Sequence, residues 1–111
     1  VRRLLPCLIA ACAATGRVEA IREADGTWVA AFAADVEATY HAAMAALVTD
    51  GWKVMRADPI GASLTARSET AGLAHVAIEP DGAGGSRVRL GLDGSADAAA
   101  LLAGIRREID K

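Results

Sequence analysis

From Gly26 onward, the spacing of apolar and polar positions divides the chain into strands and helices. Trp28, Ala30 and Phe32 keep a two-residue repeat, the mark of a strand with one buried face. Asp35 stands where a helix N-cap is needed, and Val36, Tyr40, Ala43, Met44, Leu47 and Val48 then recur at helical spacing along one face. Gly51 is placed to end that helix in a left-handed conformation. Trp52 and Val54 open a second strand, which Asp58-Pro59 breaks; Met55 fits neither of its faces. Ile60, Ala62, Leu64 and Ala66 alternate along a third strand, and Ala74, Val76 and Ile78 along a fourth. The segment Asp81-Gly82-Ala83-Gly84-Gly85 reverses the chain, and Val88, Leu90 and Leu92 face inward on the return. A five-residue loop at that point pairs Ile78 with Val88 and Val76 with Leu90 on one face, and Glu79 with Arg87 on the other. Asp93-Gly94 turns the chain again and Ser95 is placed to cap a closing helix. Leu101, Leu102, Ile105 and Ile109 form its apolar stripe, with Arg106, Arg107 and Lys111 near the carboxyl end, where the helix dipole favours cations.

The elements run β-α-β-β-β-β-α. One patterned apolar sheet face and two amphipathic helices predict an α+β domain over residues 26–111, a two-layer sandwich of about five antiparallel strands with both helices on one face.

The amino-terminal residues follow a different logic. Arg2 and Arg3 lead into the apolar stretch Leu4 to Ile9, interrupted by Pro6, and then into Ala10, Ala11 and Cys12. A positive cluster, an apolar run and small residues make the three-part layout of a secretory signal. Ile9-Ala10-Ala11-Cys12 resembles the bacterial lipobox, with Ile9, Ala10 and Ala11 recognised by the signal peptidase. The resemblance implies cleavage before Cys12, a signal peptide over residues 1–11, and transfer of a diacylglyceryl group to the Cys12 thiol. Val1 in first position is compatible with a longer signal, and the lipobox stands either way. Cys7 would leave with the signal and Cys12 would be acylated, so no thiol is left for a disulfide. Two acyl chains, at about 0.8 kcal/mol per buried CH₂, anchor a protein stably. Ala13 follows the cysteine in place of Asp, which in a Gram-negative host resembles the pattern sorted to the outer membrane. Residues 12–25 then read as the lipidated cysteine and a tether, or, around Val18 and Ile21, as a turn or two of exposed helix.

Composition narrows the functional classes. The 111 residues suit one small domain, and no apolar run approaches the roughly 20 residues that span a bilayer as a helix. The chain holds 27 alanines and neither Asn nor Gln, a bias of the kind a GC-rich genome produces. A formal charge of -2 lacks the basic excess of a nucleic-acid binder, and the balance turns more acidic once Arg2 and Arg3 are removed.

Motifs for chemistry are sparse. His41 and His75 belong to no metal-binding spacing, and no metal or cofactor is implied. Gly61-Ala62-Ser63-Leu64-Thr65 has Thr65 where a nucleophile elbow needs its second glycine, so Ser63 reads as a strand residue. The Asp81–Gly85 loop joins two strands and lacks a phosphate-binding pattern. One constellation stands out. Ser63, Thr65 and Arg67, with His75, Glu79, Arg87 and Arg89, would all point away from the helices and form a polar, mildly basic platform. Such a face suits an acidic partner, whether an anionic lipid headgroup, a cell-wall polymer or a protein surface; it is also an ordinary solvated sheet face with cross-strand ion pairs.

With its lipobox, the helix from Asp35 to Gly51 and the Val88-Arg89-Leu90-Gly91-Leu92-Asp93-Gly94 strand and turn before the last helix, the chain resembles an uncharacterised family of small bacterial lipoproteins. The resemblance covers residues 26–109 and implies an envelope localisation, without any catalytic residue. The leading expectation is a membrane-anchored, non-enzymatic envelope module that binds a protein or an anionic envelope component. An envelope hydrolase or transferase would instead need ionisable groups converging around His41 or His75, and a carrier of small apolar ligands would need a cavity beside the helices.

Overall fold

The computed structural model describes residues 19–111. The expected signal peptide, Cys7, the lipobox residues Ile9, Ala10 and Ala11, Cys12 and the start of the tether lie outside the described residues.

Six strands and two helices follow one another as β1 (Ala20–Arg22), β2 (Trp28–Phe32), α1 (Val36–Thr49), β3 (Lys53–Asp58), β4 (Ser63–Ser68), β5 (Gly72–Pro80), β6 (Ser86–Asp93) and α2 (Ala98–Ile109). The strands form one antiparallel sheet in the order β1-β2-β6-β5-β4-β3. Strands β3 to β6 form a meander, and α1 carries the chain from β2 across to the far edge. The buried sheet residues, among them Ala30, Leu64, Ala66, Val76, Val88 and Leu90, all belong to one face. Both helices therefore cover that face, and the fold is the expected α+β arrangement.

Leu47 of α1, Leu102 and Ile105 of α2, and Leu64 and Leu90 of the sheet are fully buried and meet in one core. Each contributes about 1.5–3 kcal/mol by leaving water. The helices approach closely because small residues face each other: a Cβ built on Gly104 stands 3.5 Å from that of Ala46. Asp35 caps α1 by accepting a hydrogen bond from the Ala38 N–H at 2.8 Å. At the other end the Trp52 and Gly51 N–H groups donate to the carbonyls of Leu47 and Val48, with Gly51 at φ +85, a Schellman closure. The β5–β6 hairpin has the expected register, Val76 opposite Leu90, Ile78 opposite Val88 and Glu79 opposite Arg87.

Several expectations need correction. A sixth strand, β1, occupies part of the segment read as tether or helix. A turn closes it onto β2, with Asp25 Oδ1 accepting from the Thr27 N–H at 2.9 Å and Gly26 at φ +91. The Arg22 guanidinium lies 5.5 Å from the centre of the Trp28 ring and holds the pair at the edge. Strand β4 begins at Ser63, three residues later than the alternation suggests, and Ile60 is 98% exposed. The Asp58 carboxylate accepts from the N–H groups of Ile60 and Gly61 at 3.1 and 3.0 Å, bending these residues into a turn. Met55 sits in a β-bulge between Val54 and Arg56, which is why it suits neither face. On α1 the buried stripe runs through Thr39, Tyr40, Ala43, Ala46 and Leu47, and Val48, about 100° beyond Leu47, is exposed. Asp97, accepting from the Ala99 and Ala100 N–H groups, caps α2 in place of Ser95.

Candidate functional site

The outer face of the sheet is uncovered by either helix, and register settles what it presents. Ser63 pairs with Ala77 and Ala77 with Arg89; Thr65 pairs with His75 and His75 with Gly91; Glu79 pairs with Arg87. Arg67 lies on the same face of β4 as Ser63 and Thr65, four and two residues along from them. The seven side chains expected on this face are thus brought together on it. Strand β3 adds three residues: Lys53, between the inward Trp52 and Val54, opposite Arg67, and two that alternation alone does not place there, Arg56 opposite Thr65 and Asp58 opposite Ser63. The bulge at Met55 shifts the alternation by one, which hides Arg56 from a strict two-residue count.

The charges divide the face into two halves. Towards β1 it is neutralised. Arg87 donates to Glu79 at 3.0 Å, and Arg89 grips Glu23 of the β1–β2 turn through both terminal nitrogens at 3.0 and 3.4 Å. A second Glu79 oxygen lies 3.9 Å from Arg89 Nε. These groups are well exposed, so the pairs contribute at most about 1 kcal/mol each, but they cancel the positive charge that the sequence pattern suggests. Beside the Arg89–Glu23 pair the sheet dips into a shallow hollow of about 500 Å³, because Ala77 and Gly91 have little or no side chain to fill it. Glu23, Asp25 and Arg89 border one side of it, Thr65 and His75 the other, with Thr65 Oγ1 3.4 Å from His75 Nδ1. The Thr27 backbone N–H, then its hydroxyl, and to a lesser extent the Arg89 charge hold the Asp25 carboxyl below the usual aspartate range.

Towards β3 the face is basic. Lys53 and Arg67 stand directly opposite each other and Arg56 lies further along β3; none of the three makes an ion pair among the described residues. A second hollow of about 550 Å³ opens beside Lys53, Met55 and Arg67, with Asp50 and Glu69 at its rim.

The remaining candidates do not converge. His41 is an exposed residue of α1, on the helix side of the sheet, with its ring edge-on to Tyr40 at 5.7 Å; His75 is on the opposite side. Ser63 is a strand residue, and the loop after β5 is organised by Asp81, whose Oδ1 accepts from the N–H groups of Ala83 and Gly85. Among the described residues, no three His, Cys, Asp or Glu side chains lie close enough to hold a metal ion, and no helix is long and apolar enough to cross a membrane. No protein-family model matches the chain, and no characterised protein matches it in sequence.

Proposed function

We propose that the protein is an exported bacterial lipoprotein, anchored to a membrane of the cell envelope through acylated Cys12, whose α+β domain is a non-enzymatic module for an anionic envelope component. The anchor rests on the sequence Ile9-Ala10-Ala11-Cys12 behind a basic and apolar leader, and on the likeness to small envelope lipoproteins. One observation carries the binding reading: Lys53 and Arg67 lie opposite each other in the ladder without a carboxylate partner among the described residues. Like charges so placed cost roughly 0.2–1 kcal/mol, and a bound anion relieves that cost. Arg56 extends the positive stripe along the sheet edge, and His75 adds a donor one strand further in.

Two measurements test the two halves of this reading. Mass spectrometry of the membrane fraction from the native host should find a chain that begins at diacylated Cys12, with the modification lost in Cys12→Ser; an unprocessed, unmodified chain overturns the anchor. Phosphatidylglycerol vesicles and soluble polyphosphate serve as anionic probes, with phosphatidylcholine vesicles as the neutral control. At least one anionic probe should bind, weakening as salt rises, and Lys53→Glu/Arg67→Glu should abolish that binding. Failure of both probes, or binding unchanged in the double variant, overturns the basic stripe as the binding surface.

A further inference from the structure

Three anomalies of the described chain meet at one place, where the β3–β4 turn passes over the first half of α1. Tyr40 is 4% exposed, and its hydroxyl, buried to less than 1 Å² of accessible surface, has no hydrogen-bond partner among the described residues. Ile60 is 98% exposed, the most exposed large apolar side chain described. Ala62 holds φ +53, the one positive φ outside glycine among the described residues. A cavity of about 360 Å³ lies between them, walled by Val36, Tyr40, His41, Pro59, Ile60 and Ala62, with Glu37 beside it. Unsatisfied buried polar groups and strained backbone are features that concentrate where a protein meets a ligand.

We infer that this cavity is a binding pocket for a small uncharged molecule with an apolar body and one hydroxyl or amide group. The apolar surfaces of Val36, Pro59, Ile60 and the Tyr40 ring select the body, with His41 and Glu37 forming a polar side, and the volume, near the lower end of the range for small-molecule sites, suits a single ring or a short branched chain. The Tyr40 hydroxyl both donates and accepts, so it recognises one polar group on the ligand. Glu37 disfavours a carboxylate at the mouth. The hollow is partly open to solvent, but the Tyr40 hydroxyl is sealed from water, so a ligand reaches it only when the segment Pro59-Ile60-Gly61 shifts, and both ends of that segment are fixed. Asp58 holds the start of the turn through its bonds to the Ile60 and Gly61 N–H groups, and the Ala62 carbonyl accepts from the Ile78 N–H at 2.9 Å. Once a ligand is seated, Ile60 folds over it and gives up its exposure to water. The pocket is on the helix side of the sheet and does not depend on the reading of the outer face.

The test is a titration of the ¹⁵N-labelled full chain with benzyl alcohol, toluene and benzoate, followed by amide chemical shifts. Benzyl alcohol should produce saturable shifts confined to the neighbourhood of Tyr40, His41, Ile60 and Ala62, and should bind more tightly than either toluene or benzoate. Tyr40→Phe removes only the unpartnered hydroxyl and should keep the fold; it should erase the preference for benzyl alcohol over toluene, a difference of about two- to tenfold for one hydrogen bond. Ile60→Ala should weaken both ligands alike. The inference is overturned by absence of saturable shifts at these residues, by shifts centred elsewhere, or by a preference that survives in Tyr40→Phe.

Discussion

Where β5 begins and β6 ends, two glycines meet, and substituting one of them measures how tightly the sheet is closed there. Gly72 has φ +101 and Gly94 has φ +122. A Cβ on Gly72 would fall 1.9 Å from the Asp93 carbonyl oxygen, 2.9 Å from its carbon and 3.1 Å from the Gly94 Cα. These are backbone atoms of the neighbouring strand and cannot rotate aside as a side chain would. Gly72→Ala therefore incurs two costs: about 1–3 kcal/mol for a backbone conformation that L-residues avoid, and about 1–3 kcal/mol for overpacking. Gly82 separates the two. It has φ +87, and nothing lies within 4 Å of the position an added methyl would take, so Gly82→Ala incurs the first cost alone. In urea denaturation, Gly72→Ala should be less stable than Gly82→Ala by about 1–3 kcal/mol; at an m-value of about 1–2 kcal/mol/M this separates the midpoints by roughly 1 M. Stabilities within about 0.5 kcal/mol of each other, the usual scatter for unremarkable surface changes, would refute the claim that the strand ends are in backbone contact.

Thr39 and Ser86 are fully buried, with their hydroxyl oxygens 2.6 Å apart, and Thr39 also donates to the Ala34 carbonyl at 3.3 Å. Thr39→Val should cost about 1–3 kcal/mol by stranding the Ser86 hydroxyl, and Thr39→Val/Ser86→Ala should cost less than the sum of the single changes in a thermal or urea double-mutant cycle. Asp35→Ala and Asp97→Ala should each lower stability by about 0.5–2 kcal/mol, the value of an N-cap, whereas Ser95→Ala should change it by no more than a few tenths. NMR titration should place the Asp25 carboxyl below the usual aspartate value of about 3.9. Because its folded value is depressed, Asp25 adds stability above the unfolded value, and this is lost as pH falls through the folded one; Asp25→Asn should remove that part of the acid dependence.

The later half of the domain is open to reading because its signals are local. A five-residue glycine-rich loop between strictly alternating runs leaves one sensible register, and Val76, Ile78, Val88 and Leu90 occupy it. The errors fall where a side-chain contact overrides the pattern. Ile60 alternates correctly with Ala62 and Leu64, yet the Asp58 carboxylate captures its N–H and turns it into water. The strand Ala20–Arg22 is too short to show a period, and its best sign is the Asp25-Gly26 pair that turns the chain into β2. On the outer face, the members of the platform are legible from alternation, but their charge balance is not. Glu23 reaches Arg89 from a turn 66 residues earlier in the chain, and Arg56 joins Lys53 on this face only because β3 pairs with β4 across a bulge. In an alanine-rich helix such as α1, many positions are small enough to face either way, which is why periodicity passes over Thr39 and puts Val48 on the wrong side.

The order of strands also bears on how the chain acquires its structure. Trp28 finds its place against Leu90, about sixty residues later, while every pairing from β3 to β6 joins consecutive strands. The meander is thus assembled from short loops with a small closure entropy, and β2 can join only after the last strand exists to receive it. During synthesis, which proceeds from the amino end, β1 and β2 are made first, yet β2 is joined to the sheet last. Phe32 lacks its neighbouring strand until β6 has been made, whereas Tyr40 and Leu47 of α1, which packs on the sheet mainly against β5 and β3, are covered as the meander forms; until then the nascent chain carries these apolar side chains in the open.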